Sequence, residues 1–144
     1  MKTAVVVKGT VDKNEDKDEG YVVEASITDL RADEVTIHHL LTHTSGIHSY
    51  TGKPDFMNKV TSAVTEEEVI AYLKDDPYDF NPGEKWLYNN SAYFILGHII
   101  GKVSGKPYGT YLKETFFDPL GMANTGVHSS KLKLQNEARG YTKE

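Results

Sequence analysis

The spacing of apolar side chains divides the chain into two parts. In each of two runs within residues 1–34, a set of apolar side chains is spaced by multiples of two positions: Val5, Val7 and Val11, then Tyr21, Val23, Ala25 and Ile27. A period of two is typical of β-strands. The run Asp12–Gly20 between them is strongly charged and ends in glycine, which favours a solvated turn. This part therefore predicts an antiparallel β-hairpin.

From residue 36 onward the apolar period becomes helical. A first short helix carries Leu40 on its apolar face and is expected to end before Gly46. A second helix begins at Thr65, with Glu68 at capping-box spacing. The sequence Asn81–Gly83 predicts a turn, because proline presets φ and glycine accepts a positive φ.

Two further helices are predicted in the second half. The segment from Asn90 to Val103 has almost no polar face and is expected to be a central helix, buried on most sides. Gly105 is expected to close it, and Pro107 to open a fourth helix that ends before Pro119. From Gly121 onward we expect irregular structure. The predicted fold class is α+β: about four helices with an N-terminal β-hairpin.

Composition narrows the function classes. The chain has 144 residues, 38% of them hydrophobic and 26% charged, which predicts one globular domain. A net charge of −5 gives no general attraction for phosphates, so nucleic-acid binding is not expected. No apolar run approaches the roughly 18 residues that a membrane span requires. The absence of cysteine excludes disulfides, a thiolate nucleophile and cysteine-based zinc sites.

The polar run Asp12–Gly20 has a second interpretation, a calcium-binding loop. An EF-hand loop requires a glycine at its sixth position and a glutamate at its twelfth, and the spacing of the acidic residues here supplies neither. A solvated hairpin loop is therefore favoured. The N-terminus also lacks a long apolar core and a small-residue cleavage site, so no signal peptide is expected and the localisation stays open.

Four blocks of sequence carry a family resemblance over about three quarters of the chain. They are Val35–Ile47, Phe80–Tyr93, Asp118–Met122 and Ala138–Tyr141. In this order they resemble the serine β-lactamase and penicillin-binding protein superfamily, in the branch of class C β-lactamases, D-alanyl-D-alanine peptidases and related esterases. The resemblance implies that residues 35–144 are the helical subdomain of a β-lactamase/transpeptidase-like fold. Residues 1–34, the hairpin segment, are not aligned to the family.

The resemblance implies a serine acyl-transfer site built from three elements: S-x-x-K, Y-x-N and a K/H-[TS]-G strand. Tyr88 and Asn90 match Y-x-N. By resemblance, Tyr88 would exchange protons with the nucleophile and leaving group, and Asn90 would hydrogen-bond the substrate and the motif lysine. A tyrosine hydroxyl, with an ordinary pKa of about 10, needs a nearby cation to act as a base. Trp86 and Tyr50 either line the substrate cleft or pack in the fold.

The other two elements are not found in this chain. Residues 1–34 contain no S-x-x-K, and a match at Ser130–Lys133 follows Tyr88 instead of preceding it, as expected of a chance match. His43–Gly46 belongs to the family's Thr-His-Thr-Ser-Gly block and is not the strand triad. We therefore expect an incomplete site without covalent turnover. Whether this is an excised or engineered piece, or a natural protein that lost its nucleophile, is open.

Two other functions fit the same residues. A non-catalytic module would bind a β-lactam or peptide-like small molecule without cleaving it, and a self-associating domain would use the face left by the missing sheet. His39 and His43 stand at i and i+4, a spacing that can ligate a metal. No H-E-x-x-H pattern accompanies them, and the resemblance makes both structural, so no metal and no cofactor are expected.

Overall fold

The computed structural model describes residues 5–6, 22–23, 34–129, 138 and 141. The chain divides into two compact units, Met1–Tyr108 and Gly109–Glu144. No helix in the described ranges has the length and apolar character needed to cross a bilayer.

Two short strands are described near the N-terminus. β1 (Val5–Val6) pairs antiparallel with β2 (Val22–Val23), with Val5 opposite Val23 and Val6 opposite Val22. The remaining residues of the expected hairpin, including Asp12–Gly20, lie outside the described residues. The complete hairpin and its solvated loop therefore stay predictions.

The described part of the chain contains five α-helices. They are α1 (Ile37–Leu41), α2 (Phe56–Lys59), α3 (Glu66–Leu73), α4 (Asn90–Ser104) and α5 (Tyr108–Leu112). A 3₁₀ turn at Tyr50–Gly52 precedes α2, and a π-helical segment at Lys113–Phe117 follows α5. The four predicted helices are confirmed as α1, α3, α4 and α5. The four-residue helix α2 was not predicted, because one turn is too short for a hydrophobic period.

Capping boxes fix where α1 and α3 begin. In α1, the backbone N–H of His39 donates to Thr36 Oγ1 at 3.1 Å, and the Thr36 N–H donates to His39 Nδ1 at 3.3 Å. In α3, Thr65 and Glu68 exchange the equivalent bonds at 3.2 and 2.7 Å, which confirms the predicted box. Each box satisfies two backbone donors that a helix start would otherwise leave unpaired.

The central helix α4 is buried on one face, not on most sides as expected. Its buried residues form a single stripe, namely Ser91, Ala92, Ile95, His98 and Ile99. Tyr93 and Val103 are each 50% exposed. The neighbouring elements of the first unit pack against this stripe. The apolar composition of α4 therefore overstates how much of the helix is buried. Gly105 ends α4 at a φ of 66°, as predicted.

One apolar core holds the first unit together. It consists of Val35, Leu40, Ile47, Leu73, Ala92, Ile95 and Ile99. Partly buried aromatic and aliphatic side chains surround it, among them Tyr50 and Phe94. At its edge the buried ring of His98 on α4 bonds through Nδ1 to Glu66 Oε2 of α3 at 2.9 Å. The core therefore joins α1, α3 and α4 to the segment that follows α1.

A set of charged and aromatic side chains links α2 to α3; we call it the α2–α3 network. It consists of Lys53, Asp55, Lys59, Tyr72 and Asp76. Lys53 Nζ donates to both Asp76 carboxylate oxygens and to the Tyr72 carbonyl, each at 2.7 Å. Both lysine ammonium groups lie over the Tyr72 ring, at 3.9 and 4.1 Å from its centroid. Lys59 also pairs with Asp55 at 3.0 Å.

Within this network, Tyr72 and Asp55 shift each other's protonation. The Tyr72 hydroxyl donates a hydrogen bond to Asp55 Oδ1. This bond, followed by the contact with Lys59, lowers the pKa of Asp55. Partial burial and then the same bond to Asp55 raise the pKa of Tyr72 to about 12.

The second unit has little regular structure after the π-helical segment. The ring of Tyr111 meets the ring of Phe116 edge-on at 6.4 Å, and Lys113 pairs with Asp118. Residues 121–129 contain no helix or strand, as predicted. Ser130–Lys133, the one S-x-x-K match, lies outside the described residues.

Candidate active site

The two longest family-like blocks lie side by side. Two backbone bonds join them, from Gly83 N–H to the Thr44 carbonyl at 2.8 Å and from Leu87 N–H to the His43 carbonyl at 3.0 Å. Just before the second block, Asp79 N–H also donates to the Gly46 carbonyl at 2.8 Å. Gly46 has a φ of 75°, and a Cβ there would overlap the Phe80 carbonyl oxygen. The glycine is therefore required both by its conformation and by the close approach of the second block.

The turn that starts the second block has the predicted chemistry. Pro82 and Gly83 occupy its centre, Gly83 has a φ of 81°, and Glu84 N–H donates to the Asn81 carbonyl at 2.9 Å. These features are those of a type II turn. The Glu84 carboxylate accepts from both the backbone and the side chain of Asn81 at 3.1 Å. The backbone bond from Asn81, followed by Lys85, lowers the pKa of Glu84.

Asn89 connects the blocks from a buried position. It is only 3% exposed, its Nδ2 donates to the Ile47 carbonyl, and its Oδ1 caps α4 by accepting from Ala92 N–H at 2.8 Å. Ser91, fully buried, donates to the His48 carbonyl at 2.8 Å and accepts from Tyr50 N–H at 2.9 Å. These side chains satisfy backbone groups of residues 47–50 and so fix that segment against the start of α4.

The pair Tyr88 and Asn90 flanks this buried asparagine on the surface; we call it the Tyr–Asn wall. The Tyr88 hydroxyl donates to Asn90 Oδ1 at 3.3 Å, and Tyr88 is 59% exposed. Asn90 Nδ2 donates to Thr51 Oγ1 at 3.0 Å, and Asn90 N–H donates to Ser49 Oγ at 3.3 Å. The segment from residue 49 to 51 therefore holds the Asn90 amide with its oxygen turned toward Tyr88.

A histidine lies behind the wall. The ring of His43 is 4.8 Å from the ring of Tyr88 and 4.9 Å from that of Tyr93, which it stacks on at 27°. Its Nδ1 accepts from Asn89 N–H at 3.1 Å. Sequence reasoning placed His43 in the family block without a role at the site. Its contacts join residues more than forty positions apart, so no local pattern indicates them.

The structure places the two expected cleft aromatics differently. Trp86 is 67% exposed, with its ring 6.3 Å from that of His43 and edge-on to it. Tyr50 packs toward the core, with its ring 5.7 Å from Phe56 and 6.5 Å from Phe94. Trp86 thus lies beside the wall, whereas the Tyr50 ring lies among core aromatics. A cleft role for either residue stays a prediction.

The histidines considered as metal ligands have other partners. Nδ1 of His39 accepts from Thr36, and Nδ1 of His43 accepts from Asn89. The described residues contain no group of three or more histidine and carboxylate side chains arranged to hold a metal ion. Each ring nitrogen used here satisfies a backbone donor instead.

The wall offers polar groups at an exposed edge. A carboxamide has two donor hydrogens and two acceptor lone pairs, so Asn90, with one of each in use, can bond a ligand through both ends. The Tyr88 hydroxyl oxygen can also accept a hydrogen bond from a ligand. Its hydrogen-bond partner in the described part of the chain is the neutral amide of Asn90, not the lysine by which a base would be activated. The arrangement can thus orient an amide ligand.

Most of the chain is similar to known proteins. A family model described as Beta-lactamase matches residues 10–144. A penicillin-binding protein of Bacillus subtilis is 35% identical over 113 residues, which are 74% of this chain and 25% of the relative. The chain spans about a quarter of the length of the first curated relatives it matches.

Solved structures also match most of the chain. The D-amino acid amidase of Ochrobactrum anthropi is 29% identical with a TM-score of 0.65, over 79% of this chain and 35% of the amidase. An octameric penicillin-binding protein homologue of Pyrococcus abyssi is 41% identical with a TM-score of 0.50, over 62% of this chain and 22% of its own. The matched part has the β-lactamase/transpeptidase-like fold, and the chain belongs to the β-lactamase family.

Proposed function

We propose that this chain supplies the Tyr–Asn wall of a serine acyl-transfer site and binds amide-containing ligands there without covalent turnover. The observation that carries the proposal is the bond from the Tyr88 hydroxyl to Asn90 Oδ1, at an exposed edge beside the start of α4. The polar groups of the wall are held in place before any ligand arrives, and such preorganisation lowers the cost of binding.

The motifs of the sequence support the absence of covalent turnover. A serine acyl-transfer reaction needs a nucleophile activated by a base, and electrostatic stabilisation of the oxyanion. This chain has no S-x-x-K before Tyr88 and no strand triad after it. The wall supplies a hydroxyl and a carboxamide, which orient a ligand but do not form an acyl-enzyme.

The descriptions of similar proteins support the proposed ligand class. Proteins similar to this chain are described as penicillin-binding proteins and as a D-amino acid amidase. The acylamino side chain of benzylpenicillin and a D-amino acid amide both present a carbonyl oxygen and an amide N–H, which suit the donor and acceptor groups of Asn90. With one wall of a cleft, we expect weak affinity, with a Kd on the order of 1 mM.

An NMR titration tests this proposal. Benzylpenicillin and, separately, N-acetyl-D-alanyl-D-alanine are added to ¹⁵N-labelled protein, and the side-chain amide of Asn90 is followed. We expect saturable shifts at Asn90, with affinity weakened roughly threefold to tenfold in Tyr88→Phe, the loss of one hydrogen bond. Tyr141→Phe is the matched control, because Tyr141 is 92% exposed and outside the wall. Absence of saturable shifts with both ligands would refute the binding function.

A second candidate function is self-association. Four large side chains around His43 are at least half exposed: Leu41, Trp86, Tyr88 and Tyr93. Tyr93 also donates to the Leu41 carbonyl at 3.1 Å, which brings these two residues together. Adjacent exposed apolar side chains favour association, and one relative is described as octameric. A second copy covering this surface would also cover the Tyr–Asn wall.

Sedimentation velocity separates the two functions. If the chain self-associates, its sedimentation coefficient rises with protein concentration, and Leu41→Lys suppresses the rise. If it stays monomeric up to millimolar concentration, the self-association candidate is wrong. The ligand titration is performed at the lowest workable concentration, so that competition from association does not hide binding.

A further inference from the structure

The backbone of His43 adopts a conformation that few residues tolerate. Its φ is 58°, and no other non-glycine residue in the described ranges has a positive φ. Such conformations persist when surrounding contacts determine them, and they concentrate at functional sites. At His43 one such contact comes from a residue distant in sequence, since the His43 carbonyl accepts from Leu87 N–H at 3.0 Å. The unusual turn brings residue 43 against the block that contains the wall.

The ring of His43 contacts the ring of Tyr88 in the wall and the backbone of the residue that follows Tyr88. One face tilts against the Tyr88 ring at 4.8 Å, while Nδ1 accepts from the backbone N–H of Asn89 at 3.1 Å. A ring nitrogen that accepts from an N–H carries no proton itself, so this bond fixes the tautomer with hydrogen on Nε2. The side chain of Tyr88 and the peptide that follows it are therefore both held by one imidazole.

The contact with His43 matters because few other contacts constrain the Tyr88 side chain. Its side chain is 59% exposed, and its hydroxyl bonds to Asn90, which is itself held by Thr51. Among the described residues, His43 is the aromatic neighbour of the Tyr88 ring. An exposed tyrosine without such a neighbour samples several rotamers, and most of them point its hydroxyl away from Asn90.

We infer that His43 is a positioning residue for the Tyr–Asn wall: its ring sets the rotamer of Tyr88, and its Nδ1 sets the backbone between Tyr88 and Asn90. The inference rests on the proposed function, since it assigns a role within the same wall. The two contacts are separable by mutation, because one needs a planar ring and the other needs an acceptor at the position of Nδ1.

Two substitutions divide these contacts. His43→Asn keeps an acceptor near the position of Nδ1 and tolerates positive φ, but removes the ring. His43→Phe keeps a ring and removes the acceptor. His38→Asn is the matched control, because His38 is exposed on α1. NMR of the free protein reports both contacts through the ring protons of Tyr88 and the exchange rate of the Asn89 amide.

In His43→Asn we expect the Tyr88 ring resonances to move toward those of a solvent-exposed tyrosine, with Asn89 exchange within about twofold of wild type. In His43→Phe we expect the Tyr88 ring to stay shifted and Asn89 exchange to accelerate roughly threefold to tenfold, the loss of one hydrogen bond. The methyl resonances of Leu73 in the core report whether each variant is folded.

The inference is overturned if folded His43→Asn leaves the Tyr88 ring resonances unchanged. It is also overturned if both variants change the two reporters together with Leu73, since that pattern indicates a general structural role. If His43→Phe does not fold because of its positive φ, His43→Asn decides alone. No ligand is present in this experiment, so a failed ligand titration would refute the proposed function without deciding the role of His43.

Discussion

Around the Tyr–Asn wall, buried polar side chains bond mainly to backbone groups, whereas in the α2–α3 network charged side chains bond mainly to one another. Asn89 and Ser91 satisfy carbonyls and N–H groups of residues 47–50. Around the Tyr72 ring, ion pairs join Lys53 to Asp76 and Lys59 to Asp55. The first arrangement fixes the path of the chain, and the second fixes how two helices meet.

This difference predicts different sensitivities. Removing a polar side chain beside the wall leaves buried backbone groups unpaired, which costs more than an exposed ion pair contributes. The α2–α3 network is partly exposed, so its contribution depends on pH and on which lysine is removed. Stability measurements on matched variants can therefore separate the two regions.

The largest expected effect is at the contact between the two family-like blocks. Gly46→Ala adds a Cβ that overlaps the Phe80 carbonyl oxygen, at a residue with φ of 75°. We expect a loss of about 3–4 kcal/mol in the free energy of unfolding, from left-handed strain and overpacking together. In the matched control Gly105→Ala, φ is 66° and no atom lies within 4 Å, so about 1 kcal/mol is expected. Equal losses in urea denaturation would contradict the close approach.

The next effect concerns the buried asparagine. Asn89→Ala removes the cap of α4 and leaves the Ile47 carbonyl without its donor. We expect a loss of about 2–3 kcal/mol in urea denaturation. Asn58→Ala, on the exposed surface of α2, is the control and should change stability by less than about 0.5 kcal/mol. A loss at Asn89 no larger than that at Asn58 would show that the bonds to backbone groups do not hold the wall.

Within the α2–α3 network, the two lysines should differ. Both lie over the Tyr72 ring, but the Lys53 side chain is 18% exposed and that of Lys59 is 54% exposed. Lys53→Met leaves the mostly buried Asp76 carboxylate without its cation, and we expect a loss of about 1–2 kcal/mol. Lys59→Met should cost about 0.5 kcal/mol or less, as exposed pairs do. Thermal unfolding at one pH compares the two variants. A larger loss of stability in Lys59→Met than in Lys53→Met would be inconsistent with the observed burial.

The smallest effect is a pH dependence at Tyr72. The pKa of Asp55 is lowered, so its contribution to stability is present above its ordinary value of 3.8 and is lost as pH falls through the lowered value. The pKa of Tyr72 is raised to about 12, so its contribution is present below 10 and is lost between pH 10 and 12. The difference in urea midpoint between wild type and Tyr72→Phe should be constant from pH 5 to 8 and shrink at both extremes. A difference that does not change with pH would show that the bond to Asp55 is energetically silent.

The sequence predicts the local features of this fold well. The capping box of Thr65 and Glu68, the turn at Asn81–Gly83 and the helix end at Gly105 all depend on residues close together in the chain. The burial of α4 was overestimated, because apolar composition does not tell which side of a helix receives a neighbour. Tyr93 and Val103 show this, since both are apolar and half exposed.

The candidate site was predicted only in part. The family resemblance identifies Tyr88 and Asn90, but the residues that hold them lie in the first block or just after it. His43, Ser49 and Thr51 contact the segment from Asn89 to Asn90 across 39 to 46 positions of sequence. No hydrophobic period or local motif encodes contacts of that range. Ser49 and Thr51 were not predicted for this reason.

The most direct measurement is the mass of the intact protein after incubation with a fluorophosphonate and, separately, with a penicillin. A chain that supplies the Tyr–Asn wall without an activated serine should keep its mass unchanged with both reagents. Ser130→Ala is treated in parallel, because Ser130 begins the one S-x-x-K match in the sequence. A stoichiometric adduct would contradict the proposal. Its loss in Ser130→Ala would identify Ser130 as the nucleophile, and its persistence there would indicate another serine.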